Sequence, residues 1–270
     1  MTASESAPIL LGLPYDASSS FMRGPALAPE AVRRVLYSGS GNWTTELGVE
    51  LDPALGTWTD AGDLELPDDP IGAQEAIRTA VRPFRGPVLA LGGDHFVTVP
   101  LVAELSTRYP DITIVHVDAH PDLYDVLEGD RLSHACPMAR IMEASHAGRL
   151  VQLGIRCLTA HQHEQVERFG VEIHTAAGWD GVLPPLSGHI YLSIDVDGLD
   201  PAHAPGVSHH EPGGLTTRQV LGLIHQIDEM SDVRVVGADV VEINPRRDIH
   251  DMTAALGAKL IKELLGVMVH

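Results

Sequence analysis

The 270-residue sequence has few basic residues for its acidic content. It contains 18 Lys and Arg against 37 Asp and Glu, which gives a formal net charge of −19. A surface of this sign repels phosphate groups, so the composition argues against nucleic acid or an anionic membrane as a partner. It is compatible with a small cationic substrate, and equally with an ordinary acidic soluble protein.

Cysteine is also scarce, since Cys136 and Cys157 are the two in the chain. They do not make a disulfide framework, so we expect a reducing compartment. No apolar run approaches the roughly 20 residues of a membrane-spanning helix. The opening MTASESAP lacks the basic and apolar regions of a secretory signal. We therefore expect a cytoplasmic protein with no membrane partner.

Apolar segments of strand length alternate with segments of helical pattern along the chain. Hydrophobic residues make up 44% of the sequence, enough for a substantial core. The alternation indicates an α/β fold in which helices cover a parallel sheet. No linker divides it, so we expect one domain over residues 1–270. The pattern leaves a doubly wound open sheet and an eight-stranded barrel as alternatives, and both bind ligands at the carboxyl ends of their strands.

Polar residues follow the strand predicted at residues 112–117. It runs directly into Asp118, His120 and Asp122. Because alternate residues of an extended chain project to the same side, these three side chains are expected to converge at the end of the strand.

Two other predicted strands end in the same way. Asp195 and Asp197 follow the strand at residues 190–194, and the strand at residues 88–91 ends in a glycine turn that presents His95. A single Asp or His in such a place is usually a cap or turn residue. Three convergent strand ends are better explained by a metal site.

The six candidate ligands comprise four carboxylates and two imidazoles. Structural zinc prefers Cys and His, whereas this oxygen-rich set suits Mn²⁺, with Co²⁺, Ni²⁺ or Fe²⁺ as alternatives. Six ligands exceed the need of one ion with an open position, so we expect two ions about 3.5 Å apart. Such a pair lowers the pKa of a bound water towards about 7, which predicts hydrolysis at an sp² carbon.

Glu242 and His134 are further candidates. Glu242 follows a strand predicted at residues 233–236, and its carboxylate is suited to a guanidinium. Asp239 is placed to support it. His134 begins a predicted helix and is suited to move protons near neutral pH. The alternatives are a capping or salt-bridged Glu and a surface His.

Three motifs together give a family resemblance. GGDH at residues 92–95, DAHPD at 118–122 and SIDVDGLDP at 193–201 are similar to the signatures of the ureohydrolases, the arginase–agmatinase family of binuclear manganese hydrolases. The similarity covers nearly the whole chain. It is strongest with the plant-type arginases and their bacterial relatives, for example through RLSHACPMARIME at residues 131–143.

The resemblance implies a role for each candidate. Asp118 and Asp195 would bridge the two ions, His134 would be the proton shuttle, and Glu242 would bind the guanidinium. It also implies a three-layer αβα sandwich on an eight-stranded parallel sheet, and a homotrimer or homohexamer. The implied ligands are His95, Asp118, Asp122 and Asp195 for one manganese ion, and His120, Asp118, Asp195 and Asp197 for the other.

The implied substrate is a cationic guanidino compound, cleaved to urea and a primary amine whose proton comes through Asp197 or His134. L-Arginine is favoured, and the alternatives are agmatine or a guanidino acid such as guanidinobutyrate. A non-catalytic metal-bound scaffold is the alternative from another class, but it would be expected to have lost a ligand.

The sequence departs from the family pattern where the substrate tail is expected. Tyr124 replaces an Asn that contacts the amino-acid end in animal-type arginases, and VSHHEP at residues 207–212 replaces the usual TGTP. Tyr124 and His209 are therefore predicted tail contacts. His210 is either a rim contact or a solvated loop residue, and His116 is expected to be a core histidine.

Overall fold

The computed structural model describes residues 7–269, in which the chain forms one eight-stranded sheet. The strands alternate with helices along the sequence, as the hydrophobic pattern predicts. The strands are β1 (Ile9–Gly12), β2 (Thr59–Asp63), β3 (Val88–Leu91), β4 (Thr113–Val117), β5 (Arg149–Ile155), β6 (Glu172–Thr175), β7 (Gly188–Asp195) and β8 (Val233–Val241).

The helices form a layer on each face of this sheet. One layer contains α1, α6 and α7, in which α7 contacts both α1 and α6, and the other contains α2, α3, α4 and α5. The predicted three-layer αβα sandwich is confirmed. The helices are α1 (Ala28–Leu36), α2 (Pro70–Val81), α3 (Thr98–Leu105), α4 (Pro137–Glu143), α5 (Ala160–Phe169), α6 (Thr217–Asp228) and α7 (Met252–Met268).

The sheet is open, with the strand order β2-β1-β3-β8-β7-β4-β5-β6. Every neighbouring pair is parallel. Within residues 7–269 the two edge strands β2 and β6 do not pair with each other, so the barrel alternative is excluded. The last two strands of the chain, β7 and β8, lie between β3 and β4. This insertion brings the carboxyl ends of β3, β8, β7 and β4 side by side at the centre of the sheet, where open α/β sheets bind ligands.

The central strands are buried on both faces, which explains why they read as continuous apolar runs. All residues of β3 and β4 are buried. Val115 and Val117 of β4 pack towards α1, α6 and α7, whereas Ile114 packs on the opposite side. The sheet is therefore held by two hydrophobic layers, and its carboxyl edge is left for polar residues.

Strand β8 is longer than the segment predicted at residues 233–236. It continues through Gly237 and the buried Asp239 to Val241. Gly237 allows a close approach, because a Cβ atom there would lie 2.6 Å from Leu105 Cδ1 and 2.9 Å from the Tyr191 ring. Glu242 is consequently the first residue beyond a central strand.

Helix ends agree with local capping chemistry. Thr216 caps α6 in a reciprocal capping box with Gln219, and Thr159 caps α5 with Gln162 in the same way.

Along residues 7–269, the helices are all too short or too polar to span a lipid bilayer.

Gly237→Ala should destabilise the protein by about 1–3 kcal/mol, because the added methyl group overpacks the contact between β8, Leu105 and Tyr191. Gly222→Ala in α6 is the matched control, since a Cβ atom there would meet nothing within 4 Å. Removing a helical glycine should stabilise the control by about 0.5–1 kcal/mol. Thermal unfolding midpoints measure both effects. An unchanged midpoint for Gly237→Ala would contradict the packing described for β8.

Candidate metal centre and substrate pocket

The candidate ligands lie at the carboxyl ends of the central strands. Asp118 directly follows β4, and Asp195 is the last residue of β7. His95 follows β3 after a turn in which Gly93 approaches Tyr15 so closely that a Cβ atom would lie 1.7 Å from its carbonyl oxygen. Gly93 therefore allows this close packing, in addition to forming the turn that presents His95.

Three carboxylates surround one nitrogen of His95. Its Nδ1 atom lies 3.4 Å from Asp118 Oδ2, 3.0 Å from Asp122 Oδ2 and 3.2 Å from Asp195 Oδ2. The His95 side chain is fully buried, and Nδ1 has no hydrogen-bond partner among the described residues. One cation between these four atoms would satisfy all of them.

A second group forms around His120. Its Nδ1 atom lies 3.5 Å from Asp118 Oδ1 and 3.2 Å from Asp197 Oδ2. Asp118 thus offers one carboxylate oxygen to each histidine. This is the arrangement expected of a carboxylate that bridges two ions.

The charges of the six candidate ligands favour the binding of cations. Burial and the carboxylates of Asp197 and Asp118 raise the pKa of Asp195 well above its usual range. Burial and Asp118 also raise the pKa of Asp197 to about 6. Holding several carboxylates in a space excluded from water is costly unless cations neutralise them. The residues present therefore fit a pair of divalent ions, and all six sequence-predicted ligands are brought together.

Two residues of the site have backbone conformations that are uncommon for side chains other than glycine. Asp122 has a φ angle of 51° and Glu242 one of 64°. Positive φ at non-glycine residues clusters at functional sites, where the surrounding structure compensates the strain.

A hydrogen-bonded chain behind His95 was not predicted. Its Nε2 atom lies 2.9 Å from Ser193 Oγ, which donates to Asp239 at 2.7 Å. Asp239 also accepts hydrogen bonds from Thr98 and Tyr191. The suggestion that Asp239 supports Glu242 is therefore replaced by a different role: Asp239 orients His95. The signal in the sequence is two polar residues within buried strands, at positions 193 and 239, which face each other in the sheet register.

His116 is a fully buried histidine with partners for both ring nitrogens. Nδ1 lies 2.8 Å from Gln152 Nε2, and Nε2 lies 2.8 Å from Asp118 Oδ2. The amide of Gln152 donates to Nδ1, so Nε2 carries the proton that Asp118 accepts. His116 therefore orients Asp118, in agreement with the prediction of a satisfied core histidine.

His134 and Glu242 form a buried pair beside the ligands. His134 Nδ1 lies 2.7 Å from Glu242 Oε1, which also accepts from the backbone N–H of His95 at 3.0 Å. Burial disfavours the imidazolium, but Glu242 outweighs this effect and raises the pKa of His134 to about 9. Burial likewise opposes ionisation of Glu242, but His134 prevails and lowers its pKa. The other ring nitrogen of His134, Nε2, lies 2.9 Å from Ser20 Oγ.

A cavity of about 330 Å³ opens above these groups. Tyr124 and His209 line it, as predicted for tail contacts, whereas His210 is exposed and bonded to the Pro205 carbonyl oxygen. Tyr124 stacks on His161. Other lining residues are Ser20, His120, Asp122, Leu127, His134, Ala135, Cys157, Leu158, Thr159, Gln162, Asp195, Asp197 and Glu242.

His209 has three aromatic neighbours. Its ring centroid lies 5.4 Å from that of His134, 5.9 Å from that of His120 and 5.5 Å from that of Phe21. Burial and the neighbouring His134 lower the pKa of His209. At neutral pH it is therefore an uncharged hydrogen-bonding group.

An open parallel sheet with carboxylates and imidazoles clustered at the carboxyl ends of its central strands defines a class of α/β metal-dependent hydrolases. Comparison with known proteins identifies the family. The model of the Arginase family matches residues 6–266, and the chain belongs to this family.

Individual relatives agree with this assignment. Arginase 1, mitochondrial, of Arabidopsis thaliana is 44% identical over 94% of this chain and 79% of its own length. Agmatinase of Bacillus cereus is 32% identical over 97% of this chain and 91% of its own length. The structure of arginase from Medicago truncatula has a TM-score of 0.87 and 40% identity, covering 98% of this chain and 88% of that one.

The resemblance to the ureohydrolases that three short motifs suggested is confirmed, and the protein is an enzyme of that class. Family membership implies a binuclear metal centre. The structure supplies candidate ligands for it, in two groups that share Asp118.

Asp195→Ala should abolish binding of both ions, because this carboxylate is expected to bridge them. Asp195→Asn should do the same while keeping the hydrogen bond that Asp195 Oδ1 accepts from the Asp197 N–H. Metal content is measured by elemental analysis after manganese reconstitution and removal of free metal. Glu229→Ala, which removes an exposed carboxylate at the far end of α6, is the control. An active, fully metallated Asp195→Ala protein would refute the assignment.

Proposed function

We propose that the protein hydrolyses L-arginine to L-ornithine and urea with two Mn²⁺ ions per chain. Relatives named arginase at 40–44% identity support the substrate. The observation that supports the chemistry most directly is a buried Glu242 carboxylate that lines the cavity beside the candidate ligands.

The ligand set supports manganese among the divalent ions. Four carboxylates and two imidazoles form an oxygen-rich set, which suits Mn²⁺, and Co²⁺, Ni²⁺ or Fe²⁺ accept the same ligand types. When bound, the ion pair supplies an activated water and a positive field. His95, Asp118, Asp122 and Asp195 would hold one ion, and His120, Asp118, Asp195 and Asp197 the other.

Glu242 is proposed to bind the guanidinium group. Both of its hydrogen bonds within residues 7–269 end on Oε1, so Oε2 is the oxygen available to a substrate N–H. Its lowered pKa keeps the carboxylate ionised at neutral pH. An ionised carboxylate at fixed geometry pairs strongly with a planar guanidinium and orients its central carbon.

His134 and Asp197 are the proposed proton carriers. The leaving amine needs a proton as the C–N bond breaks. His134, with a pKa of about 9, is protonated at neutral pH and lines the cavity. Asp197 lines the same cavity and is a proposed ligand of one ion, so its carboxylate is placed to accept a proton from the activated water.

Agmatine hydrolysis is the second candidate function. Within the described part of the chain, the cavity lining contains no Lys or Arg that would pair with the α-carboxylate of arginine. A neutral His209 and the hydroxyl group of Tyr124 would have to provide that recognition. The 32% identity to an agmatinase points in the same direction.

The assembly and the location of the protein are part of the proposal. We infer a homotrimer or homohexamer from the ureohydrolase resemblance. We infer a cytoplasmic location because Cys136 and Cys157 are both free, as in a reducing compartment.

The function is tested by urea release from manganese-reconstituted protein, with arginine and agmatine assayed side by side. We expect a higher kcat/KM for arginine. A preference for agmatine would replace the proposal by the second candidate. Urea from neither substrate would overturn both, and guanidinobutyrate assayed in parallel would detect a guanidino-acid hydrolase.

Glu242→Gln should retain both metal ions but lose kcat/KM by on the order of 10²-fold, because the amide cannot form an ion pair with the guanidinium. Glu104→Gln is the control, since Glu104 is a buried carboxylate that pairs with Arg78 and Arg82 and does not line the cavity. Elemental analysis and steady-state kinetics measure the two effects. Unchanged kinetics in Glu242→Gln would show that the guanidinium binds elsewhere.

A further inference from the structure

The loop of residues 15–24 reaches over the cavity and is tied down along its length. Near its start, the fully buried Asp94 accepts hydrogen bonds from the backbone N–H of Ser18 and the hydroxyl group of Ser19. At its end, the carboxylate of Asp16 accepts from Arg23 and from the backbone N–H of Gly24. Both ends of the loop are therefore fixed.

The middle of the 15–24 loop is fixed to the site itself. The backbone N–H of His134 donates to the Ser18 carbonyl oxygen at 3.0 Å. The side chains of Ser208 and Asn244 both donate to the Met22 carbonyl oxygen. Ser20 lies between these two anchors. It is exposed to the cavity and solvent, yet its hydroxyl group reaches the buried ring of His134.

The two ring nitrogens of His134 have different partners. Nδ1 is committed to Glu242 at 2.7 Å, and Nε2 lies 2.9 Å from Ser20 Oγ. A proton that enters or leaves the ring without breaking the Glu242 contact must pass through Nε2. Among the described residues, Ser20 provides the hydroxyl group at that atom.

We propose that Ser20 positions His134 by holding its ring against Glu242, and that it relays protons between Nε2 and the cavity. The proposal rests on the proposed function and adds a residue to it. A hydroxyl group suits this place because it accepts from Nε2–H when the ring is charged and donates to Nε2 when the ring is neutral. Alanine can do neither.

The proton balance of the reaction is consistent with this role. The oxygen atom of one water ends in urea, and the leaving nitrogen gains two protons and departs as an ammonium group. One of these protons comes from the water and the other from His134, and the second proton of the water is released to solvent. When the C–N bond breaks, Nε2–H gives its proton to Ser20 Oγ, while the Ser20 hydroxyl proton passes to the amine. The reverse relay from solvent then recharges His134, so Ser20 ends unchanged.

The test compares Ser20→Ala with Ser20→Thr, which restores the hydroxyl group. In Ser20→Ala, kcat should fall by about 3- to 10-fold, the effect of losing one hydrogen bond to a solvent-exposed hydroxyl group, whereas KM and metal content should be unchanged. Ser20→Thr should recover most of the loss. A small proton carrier such as imidazole should raise kcat of Ser20→Ala in a concentration-dependent way and leave the unsubstituted enzyme unaffected.

Ser19→Ala is the matched control on the same loop. It removes a hydroxyl group that bonds to Asp94 instead of His134, so any change in its kcat should not respond to imidazole. A normal kcat for Ser20→Ala, or a loss that neither imidazole nor Ser20→Thr restores, would overturn the role of Ser20. Absence of urea release by the unsubstituted enzyme would instead overturn the proposed function, so the two failures are distinguishable.

Discussion

The structure depends on a crowded group of carboxylates held in a space almost closed to water. Asp118, Asp122, Asp195 and Asp197 are all buried and all lie close to a histidine nitrogen. Burial and the neighbouring carboxylates raise the pKa of Asp195 and Asp197. Two divalent ions would offset this unfavourable electrostatic environment. Metal binding and local folding at this edge should accordingly be coupled.

A parallel sheet is the means by which the chain assembles this group. The strand order places β8 and β7 between β3 and β4, so residues separated by up to about 150 positions in sequence become neighbours at one edge. Strands β3 and β4 are buried along their whole length, and β7 and β8 along most of theirs. A slip in register would move their apolar residues out of the two hydrophobic layers, so packing fixes the register. The two hydrophobic layers thus determine where the polar residues at the strand ends lie. His116 then orients Asp118, and Asp239 orients His95 through Ser193.

The parts of the site that follow strands could be predicted from the sequence, because strand period and position set the direction of a side chain. His95, Asp118, His120, Asp122, Asp195 and Asp197 are all of this kind, and the structure brings them together. The full length of β8 was missed because Gly237 and Asp239 interrupt its apolar pattern. The contacts of Ser20 and Asp239 were also missed. The contact of Ser20 depends on the path of a loop, for which a single sequence contains no local signal. The polar residues at positions 193 and 239 become informative only when the cross-strand register is known.

The two ends of the cavity have different structural origins, and this has consequences for specificity. The inner end is built from strand tips that the whole sheet holds in place. The outer wall comes from connecting segments, which supply Tyr124, Leu158 and His209. Arginine and agmatine share the guanidinium and differ in one carboxylate at the far end of the chain, so only the outer wall can distinguish them. Substitutions in that wall leave the buried ligands untouched. The substrate preference can therefore change while the metal-dependent hydrolysis is kept. The sequence motifs that indicate the hydrolysis do not identify the substrate tail.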